Sequence, residues 1–106
     1  MEWRRLGEEL DAIVSSSRET FDPSTIANAR DLLKAMQYGS SLPEIAKGYW
    51  SSFRFIWGST LEIEVFAGHV EVYRFKDLHT DIQHYPHSSG SSFSPEVIEA
   101  LTGLGR

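Results

Sequence analysis

Residues 51–75 decide the fold, and they read SSFRFIWGSTLEIEVFAGHVEVYRF. Within this stretch, residues 61–65 alternate strictly between aliphatic and glutamate side chains, which is typical of a β-strand with one buried face. Two short segments of turn-forming residues, 58–60 and 67–68, divide the stretch into three apolar runs. The stretch therefore predicts a three-stranded antiparallel meander.

The two turns fix the register of the predicted sheet. A two-residue turn at 67–68 places Val65 opposite Val70, and a three-residue turn at 58–60 places Trp57 opposite Leu61. A shift of one residue would send the apolar side chains of a strand to the wrong face. Eight large apolar residues make up the predicted core face: Phe53, Phe55, Trp57, Leu61, Ile63, Val65, Val70 and Val72.

Amphipathic patterns predict three helices, which must cover the core face because an apolar sheet face packs against another element. The first helix spans residues 2–16, where apolar residues recur three and four positions apart. The second begins at Asp22-Pro23, a capping residue followed by a proline at the first helical position, and ends at Gly39. The last begins at Ser94-Pro95, and its predicted buried residues are Val97, Ile98, Leu101 and Leu104.

The remaining segments are predicted to be connections. Residues 40–50 are interrupted by a proline and a glycine, which argues against regular structure. Residues 77–90 are polar and rich in His and Ser, although Ile82 and Tyr85 allow a short fourth strand. We therefore expect one α+β domain over residues 1–106, with a three-stranded or four-stranded antiparallel meander and helices packed on one face.

Charge and composition narrow the range of partners. The formal net charge is −5, and the 10 Lys and Arg residues are scattered among 15 Asp and Glu residues. Such a chain is poorly suited to binding nucleic-acid phosphates and better suited to binding a basic protein.

The absence of cysteine excludes disulfides, thiolate nucleophiles and Cys-ligated zinc. No apolar run approaches the roughly 18 residues of a membrane span, and residues 1–9 lack the apolar region of a signal peptide, so we expect a cytoplasmic protein without a membrane partner.

The side of the meander opposite the core, here called the outer face, is the first candidate site. The register places Glu64 opposite Glu71 and Glu62 opposite Tyr73, and like charges across a strand pair are destabilising. Two interpretations remain open: a recognition surface for a basic protein, or a solvated face whose apolar residues the C-terminal segment covers. Metal binding by the glutamates alone is the weaker hypothesis. The outer face is predicted to comprise Arg54, Ile56, Glu62, Glu64, Phe66, His69, Glu71, Tyr73 and Phe75.

The histidine-bearing segment 79–87 is the second candidate. Asp81, His84 and His87 have the chemistry of metal ligands, but a His-x-x-His pattern outside a helix is a weak signal and Pro86 argues against helical spacing. A surface loop accounts for the same residues. The chain contains neither a nucleophile elbow nor a phosphate-binding loop, so the sequence predicts no catalytic residue, no metal site and no cofactor.

The part of the chain from residue 29 to residue 75 resembles a loosely defined set of small uncharacterised bacterial proteins. The shared pattern is an Ala-x-x-Leu-Leu helix, a Leu-Pro-x-Ile segment, a strand ending in Trp, a Leu-Glu-Ile-Glu-Val strand and a Val-Glu-Val-Tyr strand. Here these are residues 29–33, 42–45, 53–57, 61–65 and 70–73. The resemblance implies a protein encoded beside another gene, hence a partner, and it implies no activity.

Taken together, the sequence favours a non-enzymatic protein-binding module, an immunity-like or antitoxin-like partner of a basic toxin or nuclease. The first alternative is a small metal-dependent hydrolase or nuclease that uses the Asp81, His84 and His87 segment. The second is a homodimeric scaffold joined through the outer face or an edge strand. In the favoured interpretation, the partner-binding residues are Arg54, Glu62, Glu64, Glu71 and Tyr73.

Overall fold

A computed structural model describes residues 2–17, 20–36, 41–48, 51–76 and 78–102. The predicted helix end at Gly39 and the predicted burial of Leu104 lie outside these residues. The described chain is α+β, with three helices and one five-stranded antiparallel sheet. None of the described helices has the length and apolar character that crossing a membrane requires.

The sheet is a meander in which every strand pairs with the next one along the chain. The middle three strands confirm the predicted meander, and a further strand lies at each edge. The strands are β1 Glu44–Lys47, β2 Phe53–Trp57, β3 Leu61–Val65, β4 His69–Lys76 and β5 His79–Pro86.

The predicted register is confirmed. Trp57 lies opposite Leu61, and Val65 lies opposite Val70. All eight residues of the predicted core face are buried. The turn between β2 and β3 needs Gly58, whose φ of 57° is a left-handed conformation that side chains other than glycine rarely adopt.

The two edge strands correct the prediction that residues 40–50 form an irregular connection and residues 77–90 mostly a loop. β1 is a strand of four residues with no alternation in its burial. β5 pairs with β4 over eight residues, yet every side chain on it is exposed or half-buried. Alternation of apolar residues shows that one face of a strand is buried, but it does not show whether the strand is paired. An edge strand with solvent on both faces therefore lacks this pattern.

The helices form a layer over the core face, where their apolar side chains join those of the sheet in one core. Their bounds are α1 Glu2–Ser16, α2 Pro23–Met36 and α3 Pro95–Thr102. The predicted start of α2 is confirmed, because Asp22 Oδ1 accepts a hydrogen bond of 2.8 Å from the Ser24 N–H. The predicted burial of Ile98 is wrong. That residue is 38% exposed, while its neighbours Val97 and Leu101 on α3 are buried.

One buried polar residue links the helix layer to the sheet. Asn28 on α2 donates from Nδ2 to the Phe66 and Ala67 carbonyls at 2.9 and 3.0 Å, and its Oδ1 accepts from Ser89 at 2.7 Å. These bonds satisfy the carbonyls of the turn between β3 and β4. They hold α2 over that turn, on the core side of the sheet. The outer face is the opposite side of the sheet.

Candidate functional site

The outer face extends across all five strands, since β1 and β5 add residues on either side of the predicted set. Alternation along each strand and the observed register place Glu44 and Ala46 of β1 there, with Thr80, Ile82, His84 and Pro86 of β5. Among the described residues, the outer-face strand positions carry four carboxylates and one guanidinium. They are Glu44, Glu62, Glu64, Glu71 and Arg54.

Glu64 is the buried member of this set, with only 3% of its surface exposed. Its Oε2 accepts a hydrogen bond of 2.5 Å from the Ser52 hydroxyl. Gly48, at the end of β1, packs against the same two groups, and a Cβ at that position would overlap both the Ser52 Oγ and the Glu64 Oε2. A larger residue at position 48 would therefore displace the Ser52 hydroxyl and the Glu64 carboxylate from their hydrogen bond.

Tyr73 relieves the predicted repulsion between Glu64 and Glu71, which do lie opposite each other. Its hydroxyl donates to Glu71 Oε1 at 2.5 Å and lies 3.5 Å from Glu64 Oε1. Burial, followed by the hydrogen bond to Glu71 and the charges of Glu71 and Glu64, raises the pKa of Tyr73 well above its ordinary value. The phenol therefore remains a hydrogen-bond donor at neutral pH.

Glu71 also has two histidines beside its other oxygen. Its Oε2 lies 3.1 Å from His69 Nε2 and 3.7 Å from His84 Nε2. Burial raises the pKa of Glu71, but hydrogen bonds from Tyr73 and His69, together with the charges of His84 and His69, outweigh burial and lower the pKa below its ordinary value. The Glu71 carboxylate is consequently ionised at neutral pH.

The histidine rings are held in an aromatic stack. The His69 ring lies over Phe66 with centroids 4.5 Å apart and planes 7° from parallel, and His84 follows at 5.7 Å and 14°. Since His69 lies on β4 and His84 on β5, the stack crosses from one strand of the hairpin to the other. Among the described residues, three potential metal ligands come together here: one atom from each of His69, Glu71 and His84, all within 4.8 Å of one another.

Arg54 and Glu62 form a separate ion pair at the centre of the outer face. The Arg54 Nη2 donates to both Glu62 carboxylate oxygens at 2.8 and 2.9 Å. Arg54 lies directly opposite Glu64 in the register, yet this bond is made to Glu62. The structure thus brings together all five predicted partner-binding residues, as one ion pair and one hydrogen-bonded cluster of Tyr73, Glu71 and Glu64.

The predicted set of Asp81, His84 and His87 is not brought together. Asp81 and His84 are three residues apart on β5, so they point to opposite faces of the sheet. His87 is buried, where its Nε2 lies 3.0 Å from Asp31 Oδ2 and its ring stacks on Phe93 at 3.9 Å. The sequence missed the closeness of His84 to Glu71 because β5 was not predicted as a full strand. A prediction that placed a two-residue turn at 77–78 would have paired Glu71 with His84.

Comparison of the chain with protein-family models, with curated proteins and with solved structures found no match. The resemblance to a set of small bacterial proteins stays a prediction. Functional inference for this chain rests on the chemistry of the outer face.

Proposed function

We propose that this chain is a non-enzymatic protein-binding module that binds a basic protein partner through its outer face. The observation that carries the proposal is the charge of that face. At the outer-face positions of the described strands, one guanidinium accompanies four carboxylates, which leaves an excess of three negative charges when the histidines are neutral. A surface of one sign attracts and orients a partner of the opposite sign.

The outer face also supplies the apolar contacts that protein partners use. Ile82 is 47% exposed, and Tyr73 and Phe75 on the neighbouring strand are half-buried. Every described helix packs on the opposite side of the sheet, in the core. Aromatic and aliphatic side chains inside a polar rim are the usual anchors of an interface.

The five predicted binding residues have different parts in this proposal. Arg54 and Glu62 are half-buried at the face centre and meet a partner as a pair. Glu71 and Tyr73 are half-buried and hydrogen-bonded to each other. Glu64 lies beneath them, and its charge contributes to the field of the surface. Ser52 donates to its Oε2, and the Tyr73 hydroxyl lies 3.5 Å from its Oε1. A basic toxin or nuclease, met in the cytoplasm, is the class of partner that this charge suits.

The test compares two variants of equal net charge. Glu44→Lys with Glu62→Lys reverses two charges on the outer face, and Glu8→Lys with Glu96→Lys reverses two exposed charges on α1 and α3. Each tag-free chain is coupled to a resin and exposed to native-host extract at low salt. The expected result is one basic protein that is bound by the wild type and the helix variant and lost from the outer-face variant.

The captured protein is then purified and titrated against each chain, which separates specific binding from adsorption to an acidic resin. We expect the affinity of the wild type to fall as salt rises, because exposed charges are screened. Equal loss from both double variants would mean that only net charge matters, and unchanged binding by the outer-face variant would place the site elsewhere. Either result, or a chain that binds nothing at any salt concentration, overturns the proposal.

A further inference from the structure

We propose that His69, Glu71 and His84 form a binding site for a divalent transition-metal ion, with Zn²⁺ as the best-suited ion. This inference goes beyond protein binding and departs from the sequence-based expectation of no metal site. It does not depend on the identity of any partner, so the two proposals can fail separately.

The distances suit a small ion. Zinc bonds to nitrogen and oxygen are about 2.0–2.2 Å, which puts the ligand atoms of a tetrahedral site about 3.4 Å apart. The Glu71 Oε2 lies 3.1 Å from one imidazole nitrogen and 3.7 Å from the other. All three ligand atoms are within 4.8 Å of one another, so binding an ion needs only small movements of the histidine rings. His84 has room for this movement because its side chain is 64% exposed.

The donor set selects the class of metal. Two imidazoles and one carboxylate suit zinc, nickel, copper and related ions, whereas magnesium and calcium prefer oxygen ligands throughout. Glu71 is an ionised carboxylate, which supplies one negative charge to the ion. Three protein ligands leave a fourth position for water.

The surroundings fix the ligands in the way that metal sites require. Tyr73 donates to Glu71 Oε1, which leaves Oε2 directed at the two histidines. The His69 ring is held against Phe66 by stacking. Contacts of this kind orient ligands before the ion arrives and raise affinity. The same three side chains could otherwise serve only as a hydrogen-bonded cluster, and a metal titration separates the two roles.

The experiment is a calorimetric titration of the full, tag-free chain with ZnCl₂ after removal of metal by EDTA. The wild type is expected to bind one ion per chain. His84→Ala is expected to weaken binding at least about tenfold, since it removes a ligand whose loss leaves only two. The matched control is His79→Ala, which removes an exposed histidine from the same strand on its other face.

Thermal unfolding and cobalt absorption provide independent measurements on the same chains. Zinc should raise the Tm of the wild type and of His79→Ala, because the ion binds the folded state, and at the same zinc concentration should raise the Tm of His84→Ala by less. Co²⁺ should give a visible absorption band that is lost in His84→Ala. Absence of saturable zinc binding overturns the proposal, as does wild-type affinity in His84→Ala or an equal loss in His79→Ala.

Discussion

Tyr73 shows how one hydroxyl can decide whether an arrangement of charges is tolerable. The sequence predicted that Glu64 and Glu71 face each other across β3 and β4, and the register confirms it. What the sequence could not supply was the direction of the Tyr73 side chain, whose hydroxyl reaches both carboxylates. Alternation assigns a residue to a face, but the contact depends on side-chain rotamers that the pattern does not encode.

We predict that Tyr73→Phe lowers the free energy of unfolding by about 2 kcal/mol, in the range measured for a hydrogen bond to a charged group. The substitution keeps the ring and leaves the Glu71 carboxylate without its donor at Oε1. Urea denaturation monitored by circular dichroism measures the change. The control is Tyr85→Phe, which removes the hydroxyl of a half-buried tyrosine on β5, and this hydroxyl makes no hydrogen bond within the described chain. Equal stability losses in the two variants would contradict the assigned role of Tyr73.

Among the secondary-structure elements, the sequence predicted the strands that have a buried face. It missed the full extent of a strand that is paired but has no buried face. β2, β3 and β4 were found because aliphatic and aromatic side chains alternate along them and fill the core face. β5 was missed as a full strand because His79, Asp81 and His84 give it no apolar face, although its pairing with β4 is complete. The same difference applies to the candidate metal site. The sequence placed Glu71 correctly on β4, but it did not place His84 on a strand beside it.

The helix α3 was predicted at the right place with one face partly misassigned. Val97, Ile98 and Leu101 are all apolar, so spacing alone does not show which of two adjacent residues, Val97 or Ile98, points inward. The structure answers this by burial, since Val97 is 0% exposed and Ile98 is 38% exposed.

We predict that Leu101→Ala lowers the free energy of unfolding by about 3 kcal/mol, because it removes buried methyl groups and leaves a cavity. Ile98→Ala removes a similar volume from a more exposed side chain and should cost less than about 1 kcal/mol. Chemical denaturation of both variants under identical conditions provides the comparison. A larger loss for Ile98→Ala would mean that α3 is rotated from its position in the structure.

For the whole molecule, the layered arrangement leaves two sheet edges, and β5 is the longer one. A long edge strand offers unpaired backbone groups that a second copy of the chain could use. Two features of β5 disfavour such pairing: its side chains are of mixed polarity, and Pro86 lies at its end. The homodimeric alternative can therefore be tested at the level of backbone amides.

We predict that amide hydrogen exchange is slowest in β3, the central strand of the sheet. Alternate β5 amides should exchange rapidly because they point away from β4. Exchange monitored by NMR at two protein concentrations measures this. Rates for β5 that do not change on dilution would support a free edge. Protection of all β5 amides that disappears on dilution would instead support a homodimer joined through this strand.

The meander topology also has a consequence for how the chain folds. Neighbouring strands are joined by five residues or fewer, so every strand pairing closes a short loop and loses little chain entropy. Domains dominated by such local contacts reach the native state quickly. His69, Glu71 and His84 all belong to the single hairpin of β4 and β5, whose formation brings the three side chains together. The proposed metal ligands are thus assembled by one local folding event.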